Sequence, residues 1–86
     1  MLHKGPFRET DLARLAKRFR KQAGKNRAQA GRDLGVSQTS IFQAEEIPGQ
    51  SLLKLRIRMI EMYSRFKVIG GLFSLIDGKI KKRRRI

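Results

Sequence analysis

The chain contains no cysteine, so neither a disulfide nor a thiolate-bound metal can staple it. It has one histidine, His3, with no second ligand beside it, and no metal site is expected. No apolar run approaches the ~20 residues that a bilayer-spanning helix needs. Met1–Pro6 lacks the apolar stretch of a signal peptide. These absences predict a soluble, cytoplasmic protein without a membrane partner. Acidic residues are scarce, seven Asp and Glu against 21 Lys and Arg. Their positions suggest structural duties: Asp11 at a helix start, Glu45 in an ion pair, Asp77 in a turn. There is no glycine-rich phosphate loop and no nucleophile spaced with a base. The sequence therefore predicts neither an enzyme nor a cofactor.

What is present is positive charge. Within 86 residues the formal net charge is +14, and so basic a chain seeks a polyanion. Residues 1–26 carry eight basic and two acidic groups, residues 27–64 five and four, residues 65–86 eight and one. Cations thus flank a nearly neutral middle, as suits a polar reading surface with electrostatic attachment on either side. The length allows one small domain with a marginal core.

Residues 1–9 read as an arm, broken by Gly5-Pro6. A first helix is expected from Thr10 or Asp11, with Thr10 as N-cap. Leu12, Leu15, Ala16, Phe19 and Ala23 form its apolar stripe, with Arg14, Lys17, Arg18, Lys21 and Lys25 opposite. Gly24 ends it. Asn26 caps a short helix, Arg27–Leu34, whose inward positions are Ala30, Gly31 and Leu34. Gly35 terminates it, Val36 plugs the turn, and Ser37 caps a third helix, Gln38–Glu45. At 100° per residue, Gln38, Thr39, Phe42 and Gln43 share the outward side of that helix, and Ile41 and Ala44 point inward. The outward side carries no Lys or Arg.

Pro48 breaks the chain. Ser51 is expected to cap a fourth helix over Leu52–Tyr63, with Arg56 and Arg58 facing out. Residues 66–76 are rich in β-branched and aromatic residues, with Gly70-Gly71 inside and Asp77-Gly78 as a turn signal. They predict a strand or hairpin, a fifth helix being the rival reading. The domain plan is therefore an arm (1–9), a helix-turn-helix domain (10–64), an apolar extended segment (65–78) and a basic tail (79–86). The fold class is mostly α: four helices with a C-terminal strand or hairpin.

The segment 26–46, NRAQAGRDLGVSQTSIFQAEE, resembles the phage-repressor/Cro (Xre-type) helix-turn-helix family. The likeness lies in Gly35 at the turn, Val36 after it, Ser37 as cap, Ile41 four residues on and Glu45 four beyond. It extends over about Leu12–Tyr63. Ser37–Ile41 is also similar to the POU-specific domain, although no homeodomain follows. The resemblance implies a lambda-repressor-like fold whose third helix enters the DNA major groove. Gln38, Thr39 and Gln43 would read base edges, since glutamine pairs with adenine and threonine bonds or touches a thymine methyl. Phe42 departs from the usual polar residue and would either meet thymine methyls or fold back as core. Asn26, Arg27, Ser37 and Ser40 would hold phosphates near helix starts. Arg20 and Glu45 match the family's interhelical ion pair. Gly31 stands where alanine is usual.

These readings predict a sequence-specific double-stranded DNA-binding regulator, a nucleoid-associated repressor and a possible homodimer. Two alternatives remain open. One is an antitoxin that binds a protein partner through 66–76 and regulates itself on DNA. The other is a basic architectural protein that binds nucleoid DNA or RNA without regard to sequence. The 66–76 segment would dock on its own domain or pair with a second copy.

Overall fold

The computed structural model describes residues 3–49, 52–69 and 73–77. Four helices, α1 (Glu9–Gln22), α2 (Arg27–Leu34), α3 (Gln38–Glu46) and α4 (Leu53–Tyr63), are joined by three strands, β1 (His3–Phe7), β2 (Phe66–Ile69) and β3 (Phe73–Asp77). The protein is mostly helical with a C-terminal hairpin. The sheet order is β1-β3-β2, and both pairings are antiparallel.

Local chemistry explains the helix borders. Asn26 accepts a hydrogen bond from the Gln29 N–H, and the Gln29 side chain accepts one from the Asn26 N–H, each at 2.8 Å. This reciprocal cap satisfies two donors that α2 would otherwise leave open. Gly35 closes α2 in the left-handed conformation, at φ +71°, which costs glycine nothing. The Val36 N–H then returns to the Gly31 carbonyl at 2.9 Å. Ser37 starts α3 by accepting from the Ser40 N–H at 3.0 Å. The start of α1 differs from expectation: the helix begins at Glu9, with Arg8 as its cap residue. Asp11, not Thr10, supplies the capping oxygen, accepting from the Arg8 N–H at 2.9 Å.

Leu12 and Ala16 of α1, Ala30 and Leu34 of α2, Ile41 and Ala44 of α3, and Leu55, Met59 and Ile60 of α4 meet in one core. Phe66 and Leu75 of the sheet join the same core, and the Phe19 and Phe66 rings lie 6.0 Å apart. The border expected at residue 64 therefore does not separate two cores. Ala13 is buried where the stripe omitted it, and Ala23, placed in the stripe, is exposed.

Three further expectations are corrected. The arm is not free, because His3–Phe7 pairs with β3, with an irregularity between Lys4 and Phe7. The chain reverses between Ile69 and Phe73, since Ile69 lies opposite Ser74, and Asp77 sits within β3 opposite Phe66. Arg56 does not face out: it is fully buried. The expected Ser51 cap, the Gly70-Gly71 pair, Gly78 and the basic tail 79–86 lie outside the described residues.

The hairpin docks on its own domain, the first of the two alternatives raised by its apolar sequence. Two N–H groups of β2 are also occupied from its own domain. The Phe66 N–H donates to the Ser64 hydroxyl at 3.1 Å, and the Val68 N–H donates to the Glu61 carboxylate at 2.9 Å. Occupied N–H groups do not template another strand.

Candidate nucleic-acid interface

The site is built from α2, the Gly35–Ser37 turn and α3. Its two helices are held at close range because Gly31 has no side chain. A Cβ there would lie 2.8 Å from the Val36 carbonyl oxygen and 3.3 Å from the Gln38 nitrogen.

An ion network sets the attitude of α3 against α1 and α2. Arg20 and Glu45, predicted as partners, are both buried. Arg20 Nε and Nη2 donate to the two Glu45 carboxylate oxygens, the second at 3.0 Å. Arg20 Nη1 also donates to the Lys25 carbonyl at 2.7 Å, tying in the loop that precedes α2. Arg27 joins from α2, donating to Glu45 at 3.0 Å and to Glu46 at 2.7 Å. Lys17 reaches Glu46 at 2.6 Å. The hydrogen bond from Lys17 and the charges of Lys17 and Arg27 hold the Glu46 carboxyl below its ordinary range against a smaller opposing effect of burial.

Arg56 ties the same C-terminal end of α3 to α4. Its Nε donates to the Ala44 carbonyl, its Nη2 to the Ile47 carbonyl and its Nη1 to Glu9, each at 2.9 Å. The last carbonyls of a helix lack partners within it, and Arg56 supplies them from α4. The expectation missed this residue, although its place in the apolar stripe, four residues before Ile60 and three before Met59, was a usable signal. Arg58 is exposed as expected, and it donates to the Leu34 carbonyl at 2.8 Å, capping α2.

On the α2 flank, Tyr63 donates to Asp33 at 2.7 Å. That bond, assisted by Lys25, lowers the Asp33 carboxyl. Burial, then Asp33, raises the Tyr63 phenol.

With the C-terminal end of α3 held by these bonds and its first turn capped by Ser37, its outer face is defined. Gln38 and Thr39 are exposed and Gln43 is half-buried. Phe42 is 43% exposed, so it does not fold back into the core. The Arg27 guanidinium lies 5.0 Å from its ring centroid. Among the expected base readers, the structure thus brings Gln38, Thr39, Phe42 and Gln43 to one side of α3.

The expected phosphate contacts stand differently. The Asn26 side chain is taken by Gln29, Arg27 by Glu45 and Glu46, and the Ser37 and Ser40 hydroxyls lie 2.9 Å from each other. Beside the face, a notch of about 410 Å³ is lined by Lys17, Arg20, Lys21, Arg27 and Gln38. Lys21 is exposed there, and charge reading of α1 alone did not single it out.

Among the described residues no group of His, Asp and Glu could hold a metal ion, and no helix is long and apolar enough to cross a membrane. The fold and site define a small helix-turn-helix domain with a C-terminal hairpin. No protein-family profile, curated protein or solved structure matches the chain.

Proposed function

We propose that this protein is a sequence-specific double-stranded DNA-binding regulator, a repressor of the phage-repressor/Cro (Xre-type) kind, and a binding module rather than an enzyme. One observation carries the reading: an exposed face with Gln38 and Thr39, to which α3 itself contributes no Lys or Arg, stands on a helix capped at its start and ion-paired at its end, with a basic notch beside it. Amide and hydroxyl groups match base edges, which present donors and acceptors. Cations match phosphates, which carry no sequence information. Amides and a hydroxyl supplied by α3, with cations supplied beside them by α1 and α2, suit that division of labour.

Side chains at the helix starts are engaged internally, so Lys21 and those first-turn N–H groups of α2 and α3 that Asn26 and Ser37 do not cap are the groups best placed for phosphates. Lys17 and Arg27 add positive charge, partly offset by Glu45 and Glu46. The reading places the protein on the nucleoid, in the cytoplasm. Two copies on adjacent half-sites would suit it.

The charge of +14 favours a second reading, a basic architectural protein indifferent to sequence. Selection of bound duplexes from a random pool at about 150 mM salt separates the two. The regulator enriches one motif, and its specific complex exceeds nonspecific binding by about 10³-fold or more. Removing residues 79–86 weakens all duplexes alike and lowers the salt slope. A pool that stays random refutes the proposal in favour of the second reading.

A further inference from the structure

Phe42 is not needed to close the core. Phe42, Ile47, Met62 and Ile69 are the large apolar residues that the described surface exposes, and Phe42 alone of these is aromatic. The core beneath α3 is already closed by Ile41 and Ala44, both fully buried. Phe42 lies four residues after Gln38 and three after Thr39, which makes the three side chains neighbours on one helical face. The ring is also held. Arg27 lies over it at 5.0 Å, and Arg27 is itself fixed by Glu45 and Glu46. A ring positioned beforehand loses little freedom on binding.

We propose that Phe42 reads the C5-methyl group of a pyrimidine, thymine in unmodified DNA. This inference rests on the base-reading function proposed above. A phenyl ring offers no N–H or O–H donor and no strong acceptor. Set against a base-edge donor, a carbonyl or a phosphate, it would leave that group without a partner after losing its water. The major groove displays one apolar substituent, the C5-methyl. That methyl is the group a phenyl ring on this face can cover without loss, and 5-methylcytosine carries it as well. Arg27 acts through the ring as a positioning residue.

The test starts from the duplex that the random pool selects. Each thymine is replaced in turn by deoxyuridine, which deletes the methyl and nothing else. Each cytosine is replaced in turn by 5-methylcytosine. Affinities are measured for the unaltered protein, Phe42→Ala and Phe42→Leu. One thymine-to-deoxyuridine change should weaken the unaltered protein about fourfold, the worth of one buried methyl. The same change should leave Phe42→Ala within about 1.5-fold and Phe42→Leu between the two. If the methyl dependence falls at a cytosine instead, the source is 5-methylcytosine and the inference stands. If no methyl matters, or if one matters equally to Phe42→Ala, the inference is overturned while sequence-specific binding survives. A pool without a preferred motif removes both.

Discussion

Replacing Arg56 by methionine should cost this domain about 1–3 kcal/mol. Methionine keeps an apolar stem of similar reach and deletes the guanidinium. Three partners lose their donor: the Ala44 carbonyl, the Ile47 carbonyl and Glu9. Ala44 is fully buried, so its carbonyl is the one left dry, at about 1–3 kcal/mol. Ile47 is 38% exposed, and water can reach its carbonyl. The Glu9 side chain is 40% exposed, so its charge can be hydrated. That exposure keeps the loss below the ~3–5 kcal/mol seen when a fully buried charge is orphaned. For a chain of this size, Tm should fall by about 4–24 °C. Urea denaturation gives the free energy, and scanning calorimetry gives Tm. Arg58→Met is the control, because Arg58 is exposed and its one bond, to the Leu34 carbonyl, is only partly buried, so water can replace the lost donor; it should cost less than about 1 kcal/mol. An Arg56→Met protein within about 0.5 kcal/mol of the original, or an equally large loss at Arg58, would refute the reasoning.

Two other outcomes follow from the same geometry. Gly31→Ala gains about 1 kcal/mol of helix propensity but drives a methyl to 2.8 Å from the Val36 carbonyl oxygen. Overpacking against backbone costs about 1–3 kcal/mol, so Tm should fall by about 5 °C; a rise would show that the turn yields freely. Glu46 is held below its ordinary pKa of 4.5, first by the Lys17 hydrogen bond. A depressed carboxylate contributes stability above its unfolded pKa and loses it as pH falls through the lower folded value. Melting curves between pH 5 and 2 should therefore show the unaltered protein losing more Tm than Glu46→Gln; parallel curves would contradict the assignment.

How much was legible beforehand depends on where the information lay. The α2–turn–α3 unit was readable because its borders are local: Asn26, Gly35 and Ser37 each act within four residues. The Arg20–Glu45 pair came from the likeness to a known pattern and from the place of Arg20 on α1. Strand β1 was not readable, because its partner, Phe73–Asp77, lies some seventy residues away. Gly5-Pro6 also hides the alternation that marks a strand. The hairpin was legible as extended, but of two turn signals the stronger, Asp77-Gly78, was not the reversal. Only pairing with Phe66–Ile69 decides that. Arg56 was misread because arginine was assigned to solvent by type, although its stripe position lies among Leu52, Met59 and Ile60. Phe42 was left between two readings, and the packing of Arg27 on its ring chose the exposed one.

The most direct test of base reading by α3 is an affinity matrix over every single-base variant of the selected duplex, measured for the unaltered protein and for Gln38→Ala. Loss of the Gln38 amide should relax discrimination at one or two adjacent base pairs by about 1–3 kcal/mol and leave the others as they were. A matrix lowered by one common factor at every position would mean that Gln38 contributes attachment only, and that the outer face of α3 does not read sequence through it.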